Sequence, residues 1–135
     1  MRFARYVFTG AGIWGLIVLA PLYWLVDLSG RQWPAPLNYP HFFYGFLAIA
    51  AAWQIAFLII GSDPMRYRLM MIPCVLEKLG YVVTVAVLYN QSRISSEDAS
   101  TAVPDFVLML LFIAAFARTR RSQPPSPESR APSRT

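Results

Sequence analysis

The sequence predicts an all-α fold, an antiparallel four-helix transmembrane bundle with both termini in the cytoplasm. Of the 135 residues, 56% are hydrophobic and 14% are charged, against roughly 45–50% and 25% in soluble globular domains. The hydrophobic residues gather in runs long enough to cross a bilayer. A third observation, the unequal distribution of arginine among the loops, predicts the orientation.

The first two spans are predicted at residues 7–26 and 42–60. The first has the roughly 20 residues that a membrane-crossing helix needs. Arginines precede it, as in a signal peptide, but the apolar run continues past Pro21, so we expect a retained span. The second ends before Gly61 and Pro64, which together are typical of a helix end followed by a turn.

The third and fourth spans are predicted at residues 69–89 and 101–117. The fourth is the shortest, and the preceding segment "SSED" resembles an N-cap followed by acidic residues of a first helical turn. We therefore expect this helix to begin before residue 101, with Pro104 either in its early turns or at a kink.

Basic residues concentrate at the N-terminus, in the second loop and after the last span, whereas the first and third loops hold only Arg31 and Arg93. Such residues mark the cytoplasmic side of membrane proteins, so both termini and the second loop are predicted to lie in the cytoplasm. The predicted location of the protein is the cell inner membrane. The formal net charge of +5 then reflects orientation and does not indicate a nucleic-acid partner. The predicted cytoplasmic anchors are Arg66, Arg68, Lys78, Arg118, Arg120 and Arg121.

The segment from 118 to 135, "RTRRSQPPSPESRAPSRT", has almost nothing to bury and is predicted to be a disordered cytoplasmic tail. Its arginine cluster is expected to hold the last helix against anionic lipid headgroups. Membrane lipids are therefore the first predicted partners.

Two adjacent charges, Glu77 and Lys78, interrupt the third span. At 1.5 Å per residue they lie roughly 12–14 Å from its cytoplasmic end. Neighbouring helix positions point about 100° apart, so the two are not expected to form a simple pair. Lys78 can extend toward the cytoplasmic headgroups, and we interpret it as an anchor.

Glu77 is expected to face the other helices, because an intramembrane carboxylate is costly unless it is protonated, paired or hydrated. Gln54 of the second span falls at a similar depth. The sequence predicts an inner polar site in which Glu77 accepts hydrogen bonds from Gln54 or a tyrosine. Its candidate residues are Gln54, Glu77, Tyr81 and Thr84.

A second polar layer is predicted near the outer surface, where the spans contribute Asp27, His41, Tyr44 and Asp105. One histidine and two carboxylates could serve a metal or proton transfer. Their spacing is not diagnostic, and helix caps and interfacial hydrogen bonds explain such residues equally well. We predict no metal site.

No catalytic residue is predicted. The chain contains no phosphate-binding loop, no zinc-protease motif, no hydrolase nucleophile motif and no dinucleotide-binding motif. Cys74 is the only cysteine, which excludes an intramolecular disulfide. We predict no cofactor, and whether the protein is an enzyme is left open, with a non-enzyme favoured.

Several segments together carry a resemblance: "GIWGLIVLAPLYW", "FYGFLAIAAAWQIAFLI", "DPMRYRLMMIPCVLEKLGY" and "PDFVLMLLFIAAFART". They resemble a group of small four-helix bacterial membrane proteins of uncharacterised function, and the architecture is similar to that of DoxX-like membrane proteins. The resemblance covers nearly all of residues 1–119. It implies the four-span topology and a bacterial membrane, and it brings no functional residue with it.

Two functions are expected from the sequence. The first is a non-catalytic accessory protein that binds a partner membrane protein, a second copy or lipid. The alternative is a subunit of a carrier or membrane enzyme that binds a small amphiphile, such as a quinone or lipid, near Glu77. The first predicts solid packing around Glu77 with a groove elsewhere, and the second predicts a cavity that reaches Glu77. An independent transporter is less favoured, because neither half contains a clearly broken span.

Overall fold

The computed structural model describes residues 2–28 and 40–121, except for the side chains of residues 25–28, 40, 120 and 121. Within these ranges the chain is helical and contains no strand, which confirms the all-α class. Four of the helices are long and apolar enough to cross a membrane. The helices are α1 (Arg2–Leu28), α2 (Pro40–Ser62), α3 (Met71–Asn90), α4 (Ser96–Ser100) and α5 (Ala102–Arg121), with a 3₁₀ turn (Arg68–Met70) before α3.

The helix ends extend beyond the predicted spans. α1 begins at Arg2 rather than at residue 7, and α5 continues to Arg121, through the arginine cluster assigned to the tail. The predicted disorder of residues 122–135 lies outside the described residues. Pro104 occupies the first turn of α5, where proline is tolerated because that turn has no intrahelical acceptor for its amide.

The predicted early start of the last span is confirmed by a capping box at α4. The Ser95 hydroxyl accepts a hydrogen bond from the Asp98 amide at 3.1 Å, and the Asp98 carboxylate accepts one from the Ser95 amide at 3.3 Å. Two amides that would otherwise lack partners are thereby satisfied. The capping box begins α4 directly after the loop that follows α3.

We expect Ser95→Ala to lower the free energy of unfolding by about 1 kcal/mol, because it removes the hydroxyl that caps α4. Denaturant titration of the purified protein in detergent micelles measures this change. Ser96→Ala, at the neighbouring position and without the capping role, serves as the control. Equal losses in the two variants would contradict the role assigned to Ser95.

The helices associate as two pairs, α1 with α2 and α3 with α5, and the pairs meet mainly through α1 and α5. At the centre lie three fully buried phenylalanines, Phe8 of α1, Phe57 of α2 and Phe112 of α5. The Phe8 and Phe112 rings stack with centroids 4.3 Å apart, and the Phe57 ring meets Phe112 edge-on at 5.0 Å. Met71 and Cys74 of α3 are buried against this core.

Glycine permits the close approach of α1 and α2. A Cβ atom at Gly12 would lie 2.8 Å from the Gln54 carbonyl oxygen and from two carbons of the Leu58 side chain. Gly61 of α2 similarly faces Thr9 of α1. Small residues of this kind let helix backbones approach in membrane proteins.

Arg5 joins the same two helices at the end where α1 begins. Its guanidinium donates a hydrogen bond to the Ser62 carbonyl oxygen at 2.9 Å. Ser62 is the last residue of α2, so the bond places a positive charge at the carboxyl end of the α2 dipole, where it is favourable.

Candidate functional site

The most unusual polar feature of the molecule is a buried lysine between two carboxylates. Lys78 is only 6% exposed. Its Nζ lies 2.6 Å from Asp105 Oδ1 of α5 and 3.2 Å from Glu77 Oε2 of its own helix. We call Lys78, Glu77 and Asp105 the Lys78 cluster. Because it joins α3 to α5 within segments that can cross a membrane, it is the first candidate for a functional site.

Apolar and weakly polar groups surround the cluster. The Phe57 ring of α2 lies 5.6 Å from Lys78 Nζ, within range of a cation–π interaction. Cys74, one helical turn before Lys78, is buried and donates its thiol hydrogen to the Met70 carbonyl oxygen, with the sulfur 2.9 Å from that oxygen. The lysine is thus held by an aromatic face and two carboxylates.

The structure corrects the prediction that Lys78 is a cytoplasmic anchor. A side chain that extended to the headgroups would be exposed at its end, whereas Lys78 is buried and pairs with Asp105 and Glu77. It also corrects the expectation that Glu77 and Lys78 do not pair. The flexible lysine stem allows Nζ to fold back toward the adjacent carboxylate although the two Cβ atoms point in different directions.

The predicted inner polar site does not form as one cluster. Gln54 is buried at the interface of α1 and α2, beside Gly15, and its amide donates to the Ala50 carbonyl oxygen. The Tyr81 hydroxyl lies 3.1 Å from that of Thr101. The expected hydrogen bond to Glu77 from Gln54 or a tyrosine is therefore wrong, because Glu77 pairs with Lys78 instead.

Thr84, the last member of the predicted inner site, is exposed and donates its hydroxyl hydrogen to the Gly80 carbonyl oxygen at 2.8 Å. This bond lies within α3 and does not reach the Lys78 cluster. Threonine commonly satisfies its hydroxyl in this way inside helices, so the residue needs no ligand to explain it.

Asp105 was assigned to the outer polar layer, and this too is corrected by its contact with Lys78. Of the other members, the His41 ring lies 4.4 Å from that of Phe42, and the Tyr44 ring meets Tyr23 of α1 at 5.4 Å. The Asp27 side chain lies outside the described residues. Within the described part of the chain, no three His, Cys, Asp or Glu residues are arranged to hold a metal ion.

The predicted cytoplasmic arginines stack on aromatic rings. The Arg68 guanidinium lies 4.0 Å from the centre of the Phe116 ring, and that of Arg118 lies 4.2 Å from the Phe3 ring. Arg66 is exposed, with its guanidinium 5.6 Å from the Tyr67 ring. The side chains of Arg120 and Arg121 lie outside the described residues. These contacts hold the Arg68 and Arg118 guanidinium groups against aromatic rings. The cytoplasmic anchoring of the arginines stays a prediction.

A separate apolar groove lies where α3, α4 and α5 meet. Its volume is about 230 Å³, and it is open on one side. No residue of the Lys78 cluster lines it. The groove, which we call the α3–α5 groove, is lined by Val82, Val85, Ala86, Tyr89, Ala99, Ala102, Val103 and Phe106.

Comparison of the chain with protein-family models, with curated proteins and with solved structures gives no match. The functional argument therefore rests on the geometry of this chain, and above all on two features. One is the Lys78 cluster, which the chain's own side chains fill. The other is the α3–α5 groove, which they leave open.

Proposed function

We propose that the protein is an integral protein of a bacterial inner membrane, with its four long helices antiparallel and both termini in the cytoplasm. The order of contacts between α3 and α5 supports the antiparallel arrangement: Arg68 before α3 meets Phe116, Lys78 meets Asp105, and Tyr81 meets Thr101. The arginine distribution supports the orientation. The bacterial location rests on the resemblance to small four-helix bacterial membrane proteins.

The function that the geometry supports best is that of a non-catalytic accessory protein that binds a phospholipid. The observation that carries this proposal is the α3–α5 groove, which is open and lined by hydrophobic residues. Two helices apolar enough to cross a membrane form most of its walls. In a bilayer the groove would open on the hydrocarbon of the lipids, whose acyl chains have the chemistry that such walls accept.

An acyl chain is the occupant that suits the groove. Its walls are apolar and its volume is about 230 Å³, which a stretch of hydrocarbon chain can fill. Tyr89, which lines the groove, belongs to the last turn of α3, and tyrosine favours the headgroup level of a bilayer. Arg93, four residues further along the chain, is exposed and is the cation that we expect to meet the lipid phosphate.

The alternative function, binding of an amphiphile near Glu77, has less support. The side chain of Glu77 is 25% exposed, so a polar group could approach it. Its carboxylate is nevertheless paired with Lys78, and the open groove does not include it. We therefore assign the Lys78 cluster a structural role in holding α3 against α5.

Filling the groove tests the proposed function. We expect the full chain, extracted from a bilayer of phosphatidylethanolamine and phosphatidylglycerol, to retain one phospholipid in native mass spectrometry. Ala86→Phe places a ring in the groove and should abolish that retention. Ala52→Phe, at an exposed alanine of α2, is the matched control and should retain the lipid.

Equal lipid retention in the two variants would overturn lipid binding in the groove. A wild-type protein that retains no lipid but forms a dimer, which Ala86→Phe disrupts, would also overturn it and would identify the groove as a contact between copies. Retention of an added quinone that Glu77→Gln abolishes and Ala86→Phe leaves intact would favour the alternative function instead.

A further inference from the structure

The charges of the Lys78 cluster do not balance. One ammonium group stands between two carboxyl groups, so the fully ionised cluster would carry a net charge of −1. The side chain of Lys78 is 8% exposed, and those of Glu77 and Asp105 are 25% and 24% exposed. An uncompensated charge that is largely removed from water costs several kcal/mol, so a neutral cluster is strongly favoured.

Within the part of the chain whose side chains the structure describes, no second cation supplies the missing charge. The titratable groups that face Glu77 are Cys74 and Lys78 of α3 and Asp105 of α5. α2 contributes the Phe57 ring, and α1 contributes Phe8, which packs behind that ring. Among residues 2–24 and 41–119, whose side chains the structure describes, no other lysine or arginine forms an ion pair with either carboxyl group.

The distances distinguish the two carboxyl groups. The contact between Lys78 Nζ and Asp105 Oδ1, at 2.6 Å, is the shorter of the two ion pairs that Lys78 makes. Glu77 lies further away, at 3.2 and 3.3 Å. Its Oε2 atom is buried and, although it lies 3.2 Å from Lys78 Nζ, accepts no hydrogen bond. A charged oxygen that shares its cation with a closer carboxylate is incompletely compensated, whereas a protonated carboxyl group carries no charge.

We propose that the Lys78 cluster is a proton-binding site, in which Glu77 holds one proton while Lys78 and Asp105 form the ion pair. The proton comes from water: the Glu77 carboxylate takes H⁺ from hydronium and becomes a carboxylic acid, and the ionisation of Lys78 and Asp105 does not change. This inference does not depend on lipid binding in the α3–α5 groove.

Infrared spectroscopy of the full chain in liposomes at neutral pH counts the protons of the cluster through the C=O stretch of protonated carboxyl groups. We expect one such group in the wild type. Glu77→Gln should remove it, and so should Asp105→Asn, because Glu77 then ionises to pair with Lys78. Lys78→Met should give two protonated carboxyl groups, since neither Glu77 nor Asp105 then has a cation to pair with. Glu97→Gln, at an exposed position of α4, is the control and should leave the single protonated carboxyl group of the wild type unchanged.

The assignment can also be made without a variant, in case a substitution prevents folding. Incorporation of glutamate labelled with ¹³C at the side-chain carboxyl should shift the band of the wild-type protein, whereas aspartate labelled in the same way should not. A wild-type protein without a protonated carboxyl group at neutral pH would overturn the proposal. So would a band that responds to labelled aspartate, or one that persists in Glu77→Gln.

Discussion

Lys78→Met is expected to lower the free energy of unfolding by about 3 kcal/mol at neutral pH. Removal of one partner from a buried ion pair costs about 3–5 kcal/mol. Here the Asp105 carboxyl group, left without its cation, has to take up a proton, which costs free energy at neutral pH because the same group is ionised in the unfolded chain. The lower end of that range applies here, since Glu77 and Asp105 each keep about a quarter of their side-chain surface exposed. Unfolding in mixed micelles with increasing denaturing detergent measures the change.

Two further variants identify the cause of that loss. Addition of Asp105→Asn to Lys78→Met should recover part of the stability, because a neutral amide replaces a carboxyl group that must take up a proton in the folded protein. Arg66→Met, which removes an exposed cation from the loop before α3, should change the free energy by less than about 0.5 kcal/mol. A Lys78→Met protein as stable as Arg66→Met would show that the cluster does not hold the helices together.

Gly12→Leu is expected to lower the free energy of unfolding by about 2 kcal/mol, because it forces α1 away from α2. The first carbon of any side chain there would lie 2.8 Å from the Gln54 carbonyl oxygen, and a helix backbone cannot rotate away as a side chain can. Overpacking of this kind costs about 1–3 kcal/mol. The same unfolding titration measures the change.

Gly10→Leu provides the matched control on the same helix. A Cβ atom at Gly10 would meet nothing within 4 Å. Leucine also favours the helical conformation over glycine, by less than about 1 kcal/mol, so the stability of this variant should stay constant or rise. If Gly10→Leu and Gly12→Leu were equally destabilising, the close contact between α1 and α2 would not be the cause.

Local features of the fold could be predicted from the sequence because they depend on short segments. The four helices able to cross a membrane follow from runs of apolar residues, since length and composition alone determine that property. The start of the last helical segment follows from Ser95 and Asp98, whose capping box is a contact over three residues. Neither feature requires knowledge of how the helices pack.

The Lys78 cluster could not be predicted in the same way, because it depends on the depth and rotation of two helices. Asp105 was assigned to the outer polar layer because it lies early in the predicted span 101–117, although the helix itself was expected to begin before residue 101. The helical segment begins with α4 at Ser96, so Asp105 lies nine residues, or about 13 Å, from the start of that segment. At that distance it meets Lys78 of α3. One feature of the sequence could have indicated the cluster. Glu77 and Asp105 are the only acidic residues within the predicted spans, and a buried lysine needs an acidic residue to compensate its charge.

The Lys78 cluster also bears on how the chain is assembled during synthesis. In the membrane proposed for this protein, α3 alone would bring a lysine and a glutamate into lipid, at a cost of about 2.5–3.5 kcal/mol for a charged residue at the helix centre. The compensating Asp105 is translated 27 residues after Lys78. We therefore expect α3 to remain beside the translocon until α5 emerges, and the two helices to enter the bilayer together.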